Sequence, residues 1–352
     1  MELGNNYQIY FRKIPFYFSF CVLCFFSVFT KSGTDLQQYI SIYNSSNLTI
    51  QWILGGGTSE YGFRLFFATL HYFIKNPYIG IGIVKGMSLL IVYISVHRMR
   101  FKIDVGASIL FYVAVFYFPG FNVIRLTFAG SICLLASVFL YENKNFKAVL
   151  LAIIAITIHT SAVLYLIAVL ILFAYRFVSV LGKIRNIFAL LGLVLVSMFG
   201  TTLIHYLLHN TDLFATRYTN YMDNTSTSGF GQYVYYSIII VLLLNAYRWI
   251  KDKRMIEETL VLTVAGFAVA LLGYDVGMIS RAAIYFMFPF MIFMPFYLME
   301  RLKQGRRKLH FRRFRYQELK NIIILYCVFR YMIMISDVLY KSSIYNYTFL
   351  WE

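Results

Sequence analysis

The amino-acid sequence predicts an all-α fold, a polytopic transmembrane helical bundle. Of its 352 residues 60% are hydrophobic and only 13% are charged, about half the charged fraction of an ordinary soluble domain. A single soluble core stops growing near ~250–300 residues, so this much apolar sequence cannot be hidden from water in one globule. Apolar runs of about 20 residues, enough to cross a bilayer, also recur along the chain. These observations exclude a cytosolic enzyme, a disordered chain and a disulfide-stapled secreted domain.

The predicted membrane segments are apolar runs separated by short polar or basic stretches. They cover residues 14–30, 80–96, 105–119, 126–140, 187–208, 232–249, 257–273, 282–300 and 321–340. The run 148–175 is long for one segment and is interrupted around His159, which favours a broken helical hairpin there. The run 63–74 is too short to cross and predicts an interfacial helix on the outer side. The result is about eleven membrane segments in one integral membrane domain, 1–352.

The net charge of +17 is concentrated in short basic clusters between these runs, the densest being 301–320 with nine Lys or Arg. Only if 148–175 is a hairpin do all the clusters fall on one side of the membrane. The positive-inside rule then predicts a cytoplasmic N-terminus, a basic cytoplasmic loop at 301–320, and outer loops at 31–79 and 209–231. The 301–320 loop is basic and aromatic, which predicts contact with anionic membrane lipids. This clustering disfavours nucleic acid as a partner.

Three arginines at the outer side are candidate ligands for an anionic substrate. Arg125 follows Pro119-Gly120 and begins the next helix, where its guanidinium and the positive helix end together suit a phosphate or diphosphate. Arg281 again lies at the outer start of a segment, and Arg217 lies in the long outer loop. The alternatives are an arginine that snorkels to the headgroup level and, for Arg217, a solvated charge.

His159, Asp35 and Glu60 are the candidate acid–base groups. His159 lies at the break between two apolar half-helices, and the alternative is a satisfied core histidine. Asp35 and Glu60 are carboxylates at the outer side that would orient sugar hydroxyls or act as a base. The alternatives are a helix N-cap for Asp35 and an acidic first helical turn for Glu60.

Several familiar motifs are missing from the sequence. No nucleotide-binding Gly-rich loop, HExxH, GxSxG or DxD pattern occurs, which argues against an ATP-driven pump and against a metal-dependent nucleotide-sugar glycosyltransferase. The four cysteines lie inside apolar segments with no metal-ligand spacing, so they predict packing residues. We therefore expect no metal and no cofactor.

The order of the outer motifs carries a family resemblance over roughly residues 30–300. Gly33-Thr34-Asp35 with Tyr39 follows the first segment, and Glu60-x-Gly62-Phe63 opens the short helix. Then come Asn122-x-x-Arg125-x-x-x-Ala129, His159-x-Ser161-Ala162 and Arg281-x-x-x-Tyr285. This pattern resembles the EpsG-like branch of the Wzy family of bacterial O-antigen and capsule polymerases. Leu126 departs from it, since related sequences often have Gln after the arginine.

The resemblance implies an activity at the outer face of the bacterial cytoplasmic membrane. Such enzymes join oligosaccharide repeat units carried on undecaprenyl diphosphate, with no nucleotide sugar. It implies diphosphate binding by Arg125, Arg281 and Arg217, and a base among His159, Asp35 and Glu60. It places Tyr39, Asn122 and Tyr285 among the sugar-binding residues. A repeat-unit flippase and a chain-length regulator are the expected protein partners.

Two other functions remain as alternatives. A membrane O-acyltransferase that modifies an extracytoplasmic glycan would also use an intramembrane histidine and arginines. A flippase or transporter for lipid-linked sugar would show paired inverted repeats and polar groups near the bilayer midplane. No repeat is visible, and Arg330 is the main midplane charge.

Overall fold

The computed structural model of the chain describes residues 13–31, 33, 35–55, 60–177, 230–272 and 281–305. In these ranges the regular structure is helical. The helices are α1 (Lys13–Val28), α2 (Leu36–Asn44), α3 (Ile50–Leu54), α4 (Tyr61–Phe73), α5 (Pro77–Met99), α6 (Val105–Tyr112), α7 (Ile124–Tyr141), α8 (Asn145–Ile158), α9 (Val163–Phe177), α10 (Phe230–Trp249), α11 (Lys253–Leu272), α12 (Ile284–Met287) and α13 (Phe290–Gly305). A π-helical turn, Val113–Tyr117, continues α6, and 3₁₀ turns lie at Pro119–Phe121 and Thr160–Ala162.

The first of two compact units comprises Met1–Asn47, Phe67–Ser131 and Met291–Glu352. Its centre is α5, which packs against α1, α2 and α6. A Cβ at Gly82 of α5 would overlap the backbone of Val28, so the missing side chain lets α1 and α5 approach closely. Such small residues at helix contacts are typical of membrane bundles, where packing rather than water exclusion drives association.

The second unit comprises Leu48–Phe66 and Ile132–Phe290. Here α11 packs against α9, α10 and α12. Buried hydroxyl groups link its helices, since Tyr141 OH lies 3.0 Å from Thr259 Oγ1 and Tyr165 OH lies 2.6 Å from Ser137 Oγ. These bonds satisfy polar groups that would otherwise be buried without a partner, which is costly in an apolar surrounding.

The broken hairpin predicted at His159 is confirmed. α8 ends at Ile158, and His159 is extended, with φ −150° and ψ 117°. A 3₁₀ turn then leads into α9. The far ends of the two helices meet, because Arg176 Nη1 donates a hydrogen bond to Asn145 Oδ1 at 3.3 Å. The two helices therefore run antiparallel.

Most of the other predicted membrane segments in the described residues coincide with helices. By length and composition, three described helices are able to cross a membrane: Pro77–Met99, Ile124–Tyr141 and Lys253–Leu272. Shorter apolar helices cover Lys13–Val28, Val105–Tyr117, Asn145–Ile158, Thr160–Arg176 and Ile284–Glu300. The architecture is thus that of a membrane helical bundle. The segments predicted at 187–208 and 321–340 lie outside the described residues, so the count of about eleven stays a prediction.

Two parts of the chain differ from the sequence prediction. The segment 282–300 is interrupted between α12 and α13, at Pro289, because proline lacks the amide hydrogen and clashes with the preceding turn. The loop 31–79 contains the short helices α2 and α3 in addition to the expected helix near 63–74, which is α4. The interfacial position of α4 on the outer side stays a prediction.

Candidate active site

A buried acid–base pair lies in the second unit, at the break of the hairpin. His159 Nδ1 and Glu60 Oε1 are hydrogen-bonded. The Glu60 side chain is 4% exposed and the His159 side chain is 18% exposed. A carboxylate that accepts from Nδ1–H holds the neutral imidazole in the tautomer whose Nε2 carries the lone pair. In that tautomer Nε2 is the ring nitrogen that can accept a proton.

The position of Glu60 depends on a close helix contact. Glu60 directly precedes α4, and its carbonyl accepts the first helical hydrogen bond, from Arg64 N at 3.1 Å. A Cβ at Gly62 would overlap the side chain of Thr157 in the last turn of α8. Glycine at this position brings the start of α4 against the end of α8, two residues before His159. This contact explains the Glu60-x-Gly62 spacing.

The turn that follows His159 is held by a second remote segment. Ser161 Oγ and Tyr285 OH are 2.8 Å apart, and Tyr285 is fully buried in α12. α12 is itself fixed to α10 by the bond from Tyr236 OH to the carbonyl of Ala283, 2.7 Å. The burial of Tyr285 favours a role in positioning Ser161, and its predicted sugar-binding role stays a prediction.

In the first unit, the structure brings together residues of the Gly-Thr-Asp and Asn-x-x-Arg motifs. Gly33 has φ +130°, and a Cβ there would overlap the carbonyl of Phe121 and lie 3.4 Å from Asn122 Oδ1. Only glycine adopts this conformation and approach at low cost. This tight contact fixes the start of α2 beside the turn that precedes Arg125.

Arg125 is the second residue of α7, as the sequence predicts, and its guanidinium lies over the Tyr39 ring, 5.7 Å from the centroid. Tyr39 is 4% exposed. Burial raises the pKa of the Tyr39 phenol, an effect that the neighbouring Arg125 charge opposes and the Asp35 charge reinforces. Asp35 occupies the N-cap position of α2, but its side chain accepts no capping hydrogen bond there, so the N-cap alternative does not account for its carboxylate.

The remaining predicted site residues are placed as follows. Arg281 is exposed in the second unit, just ahead of α12. Arg217 lies outside the described residues. Within the described ranges, no group of three or more His, Cys, Asp or Glu side chains is arranged to hold a metal ion.

Lys85 is a buried cation that sequence reasoning missed. It lies in the middle of α5, is 6% exposed, and its Nζ lies 4.8 Å from the centroid of the Phe121 ring. It lines a small cavity with the hydroxyl groups of Ser27, Tyr117 and other residues of the first unit. A lysine inside the apolar run 80–96 was a visible signal, because charges within membrane segments are rare and are functional more often than not.

The comparison with protein families identifies the family of the chain. A model of the EpsG family matches residues 13–349, almost the entire chain. The chain belongs to the EpsG family. The comparisons with curated proteins and with solved structures found no match. Membership of this family supports a polysaccharide polymerase-like role for this membrane protein. The resemblance drawn from the motifs is therefore confirmed at the level of the EpsG family.

Proposed function

We propose that this EpsG-family protein polymerises oligosaccharide repeat units carried on undecaprenyl diphosphate, at the outer face of the bacterial cytoplasmic membrane. The observation that carries the proposal is the buried Glu60–His159 pair. Sugar polymerisation requires a base for the acceptor hydroxyl, and a histidine oriented by a carboxylate is suited to this task. Glu60 orients the ring and stabilises the imidazolium that forms, as the carboxylate does in a serine protease triad.

In the proposed step the acceptor hydroxyl oxygen of the incoming repeat unit attacks the anomeric carbon of the growing chain. The hydroxyl proton goes to His159 Nε2 while a new glycosidic bond forms. The bond between the anomeric carbon and the diphosphate oxygen breaks, and the diphosphate leaves with the electron pair. The proton then passes from His159 to solvent. The sugar–diphosphate bond drives the transfer, so no nucleotide or metal is required.

The leaving diphosphate needs cationic partners, and we assign this role to arginines. Arg125 opens α7, so its guanidinium and the first amide groups of that helix share a positive potential. Tyr39 packs against the guanidinium. Arg281 precedes α12 and is exposed. A guanidinium group can donate two parallel N–H bonds to phosphate oxygens. Arginine is therefore suited to stabilising the charge on a departing diphosphate.

The proposal places the protein after a repeat-unit flippase, because its substrate must reach the outer face. We propose a chain-length regulator as a second partner, as the family resemblance implies. The first test is the glycan ladder of host cells in which the gene is deleted and then restored as wild type, as His159→Ala or as His71→Gln. We expect wild type and His71→Gln to restore the ladder, and His159→Ala to leave single repeat units.

His71 is a matched control because its Nδ1 is bonded to the backbone carbonyl of Ser46, 2.6 Å away, and not to a carboxylate. Membrane levels of each variant are compared by immunoblot. A ladder of unchanged length in the deletion strain would exclude polymerisation. Loss of an acyl group from the glycan in that strain, seen by mass spectrometry, would then assign the O-acyltransferase function.

A further inference from the structure

A second cluster of charges lies at the opposite end of the hairpin from His159. Arg254 Nε donates to Glu258 Oε1 at 2.6 Å, and Arg176 Nη2 donates to the same oxygen atom. Glu258 is 1% exposed. Because both guanidinium groups bind one carboxylate oxygen, two positive charges lie side by side with one negative charge between them.

The surroundings of this cluster leave an excess of positive charge. Six cationic and four anionic side chains lie at Arg176 and in the neighbouring segments 142–147 and 251–258. The cations are Lys144, Lys147, Arg176, Lys251, Lys253 and Arg254, and the anions are Glu142, Asp252, Glu257 and Glu258. Glu142 is paired with Lys144 at 2.7 Å, and Glu257 accepts from Tyr247 OH at 3.2 Å. An anion at the arginines would therefore offset unbalanced charge.

The two guanidinium groups also have N–H donors beyond those that bind Glu258. The Arg176 and Arg254 side chains are 26% and 33% exposed. Besides Glu258, Arg176 donates to Asn145 Oδ1 and Arg254 donates to the carbonyl of Leu140, at 3.2 Å. These contacts use two of the five N–H groups on each side chain. Glu258 therefore holds two partly exposed guanidinium groups in place, and their remaining N–H groups can bind a further acceptor.

The two helices of the hairpin also expose apolar side chains. Phe146 is 80% exposed, and Leu150 follows it one turn later on α8. On α9, Ile171 and Ile167 are exposed at successive turns, whereas Leu172, one turn before Arg176, is buried. The exposed faces of both helices suit lipid acyl chains, and the arginines lie at the end of these helices, at the level of a phospholipid headgroup.

We propose that Arg176 and Arg254 bind the phosphate of an anionic phospholipid at the end of α9 and the start of α11. Glu258 is the positioning residue that holds both guanidinium groups together. The site is separate from the sugar-transfer chemistry and does not depend on it. The bound lipid fastens α9 to α11 at the membrane surface where the basic loops lie.

The test uses the purified full-length chain in detergent, with native mass spectrometry to measure lipid binding. Phosphatidylglycerol is compared with phosphatidylcholine, for wild type, Arg254→Gln, Arg176→Lys and Arg248→Gln. Arg248 is the matched control, since it is an exposed arginine in the last turn of α10. We expect wild type and Arg248→Gln to prefer phosphatidylglycerol, and Arg254→Gln to bind it about fivefold more weakly. Arg176→Lys keeps the positive charge but loses the planar guanidinium group, so we expect its binding of phosphatidylglycerol to weaken by an intermediate amount.

The variants must elute as wild type does on size exclusion, and Arg176→Lys provides the test if Arg254→Gln fails to fold. Equal phosphatidylglycerol binding by wild type and a folded Arg254→Gln or Arg176→Lys would overturn the proposal. An equal loss of phosphatidylglycerol binding in Arg248→Gln would also overturn it, because binding would then depend only on the overall positive charge. Displacement of the lipid by millimolar inorganic phosphate would show that free phosphate, and not a lipid headgroup, is the occupant.

Discussion

At the scale of single residues, the bonding partner distinguishes two half-buried histidines. His159 shares a hydrogen bond with the Glu60 carboxylate, whereas His71 shares one with a backbone carbonyl. Both partners fix the ring orientation, but only the carboxylate stabilises the charge of a protonated ring. The same side chain is therefore suited to proton transfer at one position and to structural bonding at the other.

Glu60→Gln preserves the shape of the side chain and removes its charge. We expect the rate of polymer formation to fall about 10²-fold, because the imidazolium of His159 loses its counterion in the transferring step. The measurement is the initial rate of polymer synthesis in membranes supplied with lipid-linked repeat units. His71→Gln should retain the wild-type rate. A Glu60→Gln rate within twofold of wild type would show that the carboxylate does not support the base.

Arg125→Lys keeps the positive charge at the start of α7 but loses the planar fork and its packing on Tyr39. We expect the KM for the lipid-linked substrate to rise about tenfold, since a bond to a charged phosphate oxygen is lost. The matched change is Arg64→Lys, because Arg64 also lies against an aromatic ring, at 5.5 Å from that of Trp52. A KM that rises equally in both variants would remove the diphosphate role from Arg125.

At the scale of helices, two glycine contacts bring the functional segments into place. Gly33 lies against Phe121 in the first unit, and Gly62 lies against Thr157 in the second. Each glycine belongs to a motif that also contains a carboxylate, Asp35 or Glu60. The absence of a side chain at the glycine is what allows the chain to carry that carboxylate to a remote helix end.

Gly62→Ala tests this packing directly. The added methyl group meets the Thr157 side chain, so we expect destabilisation of about 1–3 kcal/mol and separation of Glu60 from His159. The measurement is the thermal unfolding midpoint in detergent, followed by tryptophan fluorescence. Thr157→Ala in the same chain removes the Oγ1 contact and should recover part of the loss. A Gly62→Ala midpoint equal to that of wild type would mean that α4 moves away from α8 at no cost.

At the scale of the whole molecule, the charge pattern and the hairpin together predict the topology. The described apolar helices carry many exposed hydrophobic side chains, which suits a lipid surrounding. The hairpin returns the chain to the side from which it started, so the basic clusters before and after it share one side. The positive-inside rule predicts that this side is cytoplasmic.

Cysteine labelling in whole cells tests this orientation. In a chain whose four native cysteines are replaced, we expect Asn47→Cys to react with an impermeant maleimide added outside. Lys144→Cys should react only after the membrane is permeabilised, because it lies in the short basic turn between α7 and α8. Both side chains are exposed, so their reaction depends only on the side of the membrane that the maleimide can reach. The opposite pattern would reverse the topology and move the Glu60–His159 pair to the inner side.

The sequence by itself determined the class of fold and several local features of the site. Hydrophobic run lengths, the interruption at His159 and Pro119-Gly120 before Arg125 are local signals, and local signals are sufficient to locate helices and their ends. The motif order was also sufficient to indicate the EpsG family. What remained open in the sequence was the partner of each polar residue.

Only the tertiary structure decided those partners. Glu60 meets His159 across 99 positions of the chain, and Ser161 meets Tyr285 across 124. The two arginines that share Glu258 also come from different helices. Such pairs follow from how closely helices pack, which small residues such as Gly62 permit and which no periodic pattern encodes. The physical reason is that hydrophobicity selects the segments that enter the membrane, while side-chain volume and long-range hydrogen bonds select their neighbours.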